Sequence, residues 1–197
     1  MENQFWVSVT NAGDSGLLLP IGVILILLLG TLESLRAAFL FTRSLILCLV
    51  ALVLIKLVFI SCGKYWDLGI TSPSGHTGLS VMIYGSLATV LMKQVPVEWK
   101  VIVAYLAITV VGFIAYSRIV LGAHSWGEVL VGGSIALIAL MTFALPYAKL
   151  KHPKIKLGLF FGVLATGTML TYGLHAPAEP VVQTAASYLK IRLNICN

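Results

Sequence analysis

SRIVLGAHSWGE, residues 117–128, places an arginine, a histidine and a carboxylate between two apolar runs. Val101–Phe113 precedes it and Val129–Leu145 follows it, and both are almost entirely hydrophobic. Extended to their flanks, the runs predict membrane helices at about 99–117 and 124–145. A helix needs ~20 apolar residues to cross a bilayer. Charge inside hydrocarbon is costly, so ionisable groups at such a place mark a functional site by default.

The rest of the chain agrees with that reading. Of 197 residues, 59% are hydrophobic and only 10% are charged. Mean hydropathy is +1.00. Soluble domains carry about a quarter charged residues. Four more apolar segments predict spans at about 17–32, 44–62, 75–92 and 157–174. The expected fold is all-α, a polytopic bundle of six transmembrane helices forming a single domain over 1–197.

Between the spans, Met1–Gly16 is expected to be a polar opening with Phe5 and Trp6 at headgroup level, and Glu33–Arg43 a loop. The opening lacks the basic region of a signal peptide, so the first run is expected to be retained as a helix. Arg118–Ala123 is expected to be a short connection or helix break. The tail Val181–Ile195 has the pattern of an interfacial helix.

The net charge of +6 is spread over loops. That excludes a nucleic-acid footprint and makes the charge a guide to orientation instead. Arg36, Arg43, Lys93, Lys100, Lys149, Lys151, Lys154 and Lys156 fall on one side of the six-span layout. The positive-inside rule puts that side in the cytoplasm. Both termini and the loops carrying Ser74–His76 and Arg118–His124 then face out of the cell (inner) membrane. Cys48 and Cys62 lie in an apolar run and Cys196 near the end, with no metal or disulfide spacing.

His124 and Glu128 are four residues apart. On a helix that begins at or before His124 they share a face, where a carboxylate orients an imidazole and stabilises its cation. The bland alternative is a chemically idle pair at the membrane surface. Arg118 adds a permanent cation with bidentate reach to phosphate, and Ser117 adds a hydroxyl. Ser72-Pro73-Ser74-Gly75-His76 forms a second cluster. Ser74 suits an N-cap, and the free N–H groups of the first turn favour an anion. Lys56, late in its span, either snorkels to the interface or serves as an anion ligand facing a cavity.

Pro73-Ser74-Gly75-His76 followed by Ser117-Arg118-x5-His124-x3-acid resembles the second and third signatures of the type 2 phosphatidic acid phosphatase family. The resemblance also covers the six-span layout. It implies that His124 attacks phosphorus and becomes a phosphohistidine, that Glu128 orients it, and that His76 protonates the leaving oxygen. It further implies that Lys56, Arg118, Ser74 and Gly75 hold the phosphoryl oxygens. Two features depart from the family pattern. The first signature, K-x6-R-P, keeps Lys56 but ends in Gly63-Lys64, leaving Lys64 as a substitute cation; and Glu128 stands where the family has aspartate.

The acidic residues Asp14, Asp67, Glu98 and Glu128 are scattered, so no metal and no cofactor is expected. The expected substrate is a lipid phosphate or diphosphate: isoprenyl diphosphate, phosphatidylglycerophosphate or phosphatidic acid. Two alternatives are a lipid phosphotransferase using the same phosphohistidine, and an inactive membrane scaffold or transport protein.

Overall fold

The computed structural model describes residues 2–62, 70–151, 155–174 and 178–193. They form α-helices in the order α1 (Glu2–Asn11), α2 (Ser15–Leu32), α3 (Leu35–Cys62), α4 (Gly75–Gln94), α5 (Val97–Val120), α6 (Trp126–Ala148), α7 (Leu157–Thr171) and α8 (Ala178–Leu193). Four segments are long and apolar enough to cross a membrane: Gln4–Leu32, Leu35–Cys62, Val97–Val120 and Trp126–Ala148. With α5 turning Val101, Tyr105, Ile108 and Phe113 outward, the chain reads as a membrane protein.

α4 is the central helix and packs on α2, α3, α5 and α6. It buries Gly78, Leu79, Ser80, Met82, Ile83 and Ser86. A helix enclosed by protein is free to carry small hydroxyl residues. That explains why α4 is not among the four segments long and apolar enough to cross a membrane. Around it, Phe41 of α3 meets Phe143 of α6 edge-on at 5.5 Å, and Leu25 and Leu29 of α2 are fully buried.

Several boundaries differ from the sequence-based expectation. The opening is not a polar strand of chain: α1 is helical, and Trp6 stacks on Phe113 at 6.4 Å and meets Tyr116 at 5.2 Å. The expected loop at 33–43 is helix from Leu35 onward, because Ser34 Oγ accepts from Ala37 N (3.2 Å) and starts α3 nine residues early. At 1.5 Å per residue, the 28 residues of α3 extend ~42 Å. That exceeds the ~30 Å hydrocarbon core, so Arg36 and Arg43 ride on an exposed extension of the helix.

Further along, Arg118 lies in the last turn of α5 and not in a connection. α6 starts at Trp126, so His124 precedes the helix and is not part of it. α7 ends at Thr171, and the tail helix starts earlier than expected, with Pro180 tolerated in its first turn. Cys48 is buried and free, whereas Cys62 is disulfide-bonded. This overturns the expectation of no disulfide: spacing along the chain says nothing about a return of the fold toward the end of α3, and α8 does pack against α3. Lys64, the expected substitute for the missing arginine, lies outside the described residues.

Candidate active site

Four helix ends and two connections meet at one end of the bundle. They are the α1–α2 turn, the C-terminal part of α3, the start of α4, the end of α5, the loop after it and the start of α6.

The α4 start is fixed first. Ser74 caps the helix, its Oγ accepting from Thr77 N (3.4 Å) and Thr77 Oγ1 (3.0 Å). Ser74 N donates to Glu128 O of α6 at 2.9 Å. Backbone can approach backbone there only because α6 carries Gly132: a Cβ at that position would collide with Ser74 O and lie 3.0 Å from Ser74 N. Ser74 is fully buried, so its hydroxyl is committed to the cap. Lys56 is 5% exposed. It runs alongside Gly75, where a Cβ would stand 3.7 Å from Lys56 Cε and 4.0 Å from Nζ. A buried ammonium beside the α4 N-terminus is not a snorkelling lysine.

The α5–α6 connection places Arg118 and His124 together. Gly122 takes φ +65°, a conformation open to glycine at little cost. That turn lets Ala123 N and His124 N both donate to Arg118 O, at 2.9 and 3.1 Å. Arg118 Nη1 donates to Thr10 Oγ1 of α1 at 3.0 Å. Thr10 is buried and was not legible as a site residue, because it sits in a stretch with no motif. Ser117 turns inward, donating to Ile114 O at 2.6 Å, so its hydroxyl serves the helix backbone.

Glu128 links everything. Its Oε2 accepts from Ser125 N (2.9 Å) in a capping box and stands 3.0 Å from His124 Nδ1. Its Oε1 accepts from Thr71 N (2.8 Å), Ser72 N (2.9 Å) and Thr71 Oγ1. One carboxylate therefore holds both the histidine and the chain leading into α4. A carboxylate only accepts, so His124 Nδ1 donates and the ring's lone pair resides on Nε2. Burial holds the His124 imidazolium below the ordinary histidine pKa. The Glu128 hydrogen bond opposes that shift, and the Arg118 charge adds to it. A neutral imidazole with a free Nε2 is a competent nucleophile.

His76, in the first turn of α4, feels the charges of Arg118, Asp14, His124 and Lys56. The two histidines and the two cations predicted from sequence therefore converge. Asp14 joins them from the α1–α2 turn, with Oδ2 3.5 Å from His76 Nε2. Its only sequence signal was its place as a lone acid before an apolar run. Beside His76 lies a pocket lined by Asp14, Ser15, Lys56 and Gly75 together with the apolar Leu19, Leu49, Leu52, Val53, Leu79 and Val182. Among the described residues, no three His, Cys, Asp or Glu side chains group as a metal site.

Residues 58–153 match the family model of the PAP2 superfamily, consistent with the type 2 phosphatidic acid phosphatase family. Both motifs of the cluster fall inside the match. Members of the superfamily are phosphatases acting on phosphate esters. No curated protein and no solved structure matches the chain.

Proposed function

We propose that this PAP2-superfamily chain is an integral membrane lipid phosphatase that works through a phosphohistidine on His124. The observation that carries the reading is the convergence of His124, His76, Arg118 and Lys56, two of which, His76 and Lys56, line a largely apolar pocket. His124 Nε2 attacks phosphorus in line. As the P–N bond forms, the bond to the leaving oxygen breaks, and His76 supplies its proton. Water then attacks the phosphohistidine, gives a proton to His76, and inorganic phosphate leaves. Glu128 stays ionised and holds the His124 ring. Lys56 and Arg118, with the Gly75 N–H at the α4 start, neutralise the phosphoryl oxygens. Ser74 contributes by capping that helix start, and Lys64 remains a further candidate cation.

The protein's own cations do the neutralising, so turnover is metal-independent in this reading. The leucine and valine walls suit an acyl or prenyl chain, which favours phosphatidic acid, phosphatidylglycerophosphate or an isoprenyl diphosphate over a soluble ester. α4 and α7 complete a six-span bundle with the site on the outer, extracytoplasmic side of the cell membrane.

Purified protein should release phosphate from at least one of these lipids in excess chelator. His124→Ala and His76→Ala should each lower the rate by at least a hundredfold in folded protein, the low end of what a lost general acid or base costs. Full activity in either variant would sink the assignment. Phosphate appearing only when an acceptor lipid is present would assign the chain as a phosphotransferase instead.

A further inference from the structure

We propose that Asp14 is the positioning residue for His76, making the site a pair of carboxylate–imidazole couples, Glu128 with His124 and Asp14 with His76. The inference rests on the phosphatase reading above.

The carboxylate divides its oxygens. Oδ1 accepts from Gly16 N at 2.7 Å and caps α2, while Oδ2 stands 3.5 Å from His76 Nε2. Asp14 is 8% exposed, so water screens this pairing weakly. The turn that carries it is held in place from two sides. Tyr84 OH of α4 donates to Ala12 O at 2.8 Å. Gly13 packs so closely that a Cβ there would lie 2.5 Å from Ile114 Cγ2 and 3.1 Å from Ser80 Oγ. A capping residue needs no such anchoring to α4 and α5. A residue that must keep its second oxygen on His76 does.

Charge gives the reason. The ionisable groups facing His76 are Lys56 from α3, Arg118 from α5, His124 from the α5–α6 loop and Asp14 from the α1–α2 turn. The cations that bind phosphate work against a protonated His76, which is the form that must donate to the leaving oxygen. Asp14 is the anion among these groups. Its carboxylate stabilises the His76 imidazolium and leaves the proton transfer itself to His76.

Asparagine caps a helix as well as aspartate does, so Asp14→Asn removes the charge and keeps the cap. Asp14→Ser does the same with a shorter side chain. Both variants should retain the wild-type Tm, and their KM should stay within about twofold of wild type. Their kcat should fall tenfold or more, and the alkaline limb of the kcat–pH profile should move to lower pH, because an imidazolium without its counter-charge loses its proton sooner. Asp14→Glu should restore the limb toward its wild-type position. Neutral variants with an unmoved alkaline limb, or with losses that only follow Tm, would overturn the inference and leave the phosphatase reading intact. Wild-type protein that releases no phosphate from phosphatidic acid, phosphatidylglycerophosphate or an isoprenyl diphosphate would overturn both.

Discussion

At the scale of single residues, Glu128 shows why one added methylene matters. The carboxylate reaches Thr71 and Ser72 with one oxygen and Ser125 and His124 with the other. Aspartate, a bond of about 1.5 Å shorter, cannot keep both sets from the same backbone position. Glu128→Asp, although it restores the family's residue, should therefore be damaging here. We expect kcat to fall roughly tenfold or more, equivalent to about 1.4 kcal/mol in the barrier. Stability should fall by about 1–3 kcal/mol from amides left without an acceptor. Parallel kinetics and thermal melts of the purified variant check both. A fully active, equally stable Glu128→Asp protein would mean that the Thr71–Ser72 contacts do not matter to the site.

At the scale of elements, the site depends on how closely α4 approaches α6. The contact is backbone on backbone, Ser74 N to Glu128 O, across the bare Cα of Gly132. Gly132→Ala inserts a methyl group where Ser74 O stands. Overpacking of this kind costs about 1–3 kcal/mol, and here the strain falls on the turn that positions Gly75 and His76. Activity should drop by more than the stability loss alone explains. Gly112 of α5 has nothing within 4 Å of a Cβ built on it. Gly112→Ala should thus leave both Tm and kcat close to wild type, and the two variants measured side by side separate a general glycine effect from the contact. The same approach explains why His124 works from outside α6: the Ser125–Glu128 capping box folds the carboxylate back toward the residue before the helix.

At the scale of the whole molecule, the two ends of the bundle carry different chemistry. One end gathers Asp14, Lys56, His76, Arg118, His124 and Glu128. The other has a structural network in which Tyr147 OH donates to Glu33 (2.7 and 2.8 Å), Gln94 Nε2 donates to Glu33 (3.4 Å) and Lys93 Nζ donates to Ala148 O (2.6 Å). If the site end faces outward, a single cysteine at an exposed position of the α5–α6 turn, such as Ala123→Cys, should react with an impermeant thiol reagent in intact cells. Lys149→Cys should react only after the membrane is opened. The reverse pattern would invert the proposed orientation. The all-α membrane class, the four long apolar segments and the motif residues Ser74-Gly75-His76 and Arg118-x5-His124 were legible in the chain, whereas several helix ends were not. Hydropathy and motif spacing are local properties and survive being read one residue at a time. Thr10 on Arg118, Asp14 on His76, the grip of Glu128 on Thr71 and Ser72, and the bonded state of Cys62 were not legible. Each is a contact between segments distant in sequence, fixed by how closely helices pack, and only the tertiary structure decides that.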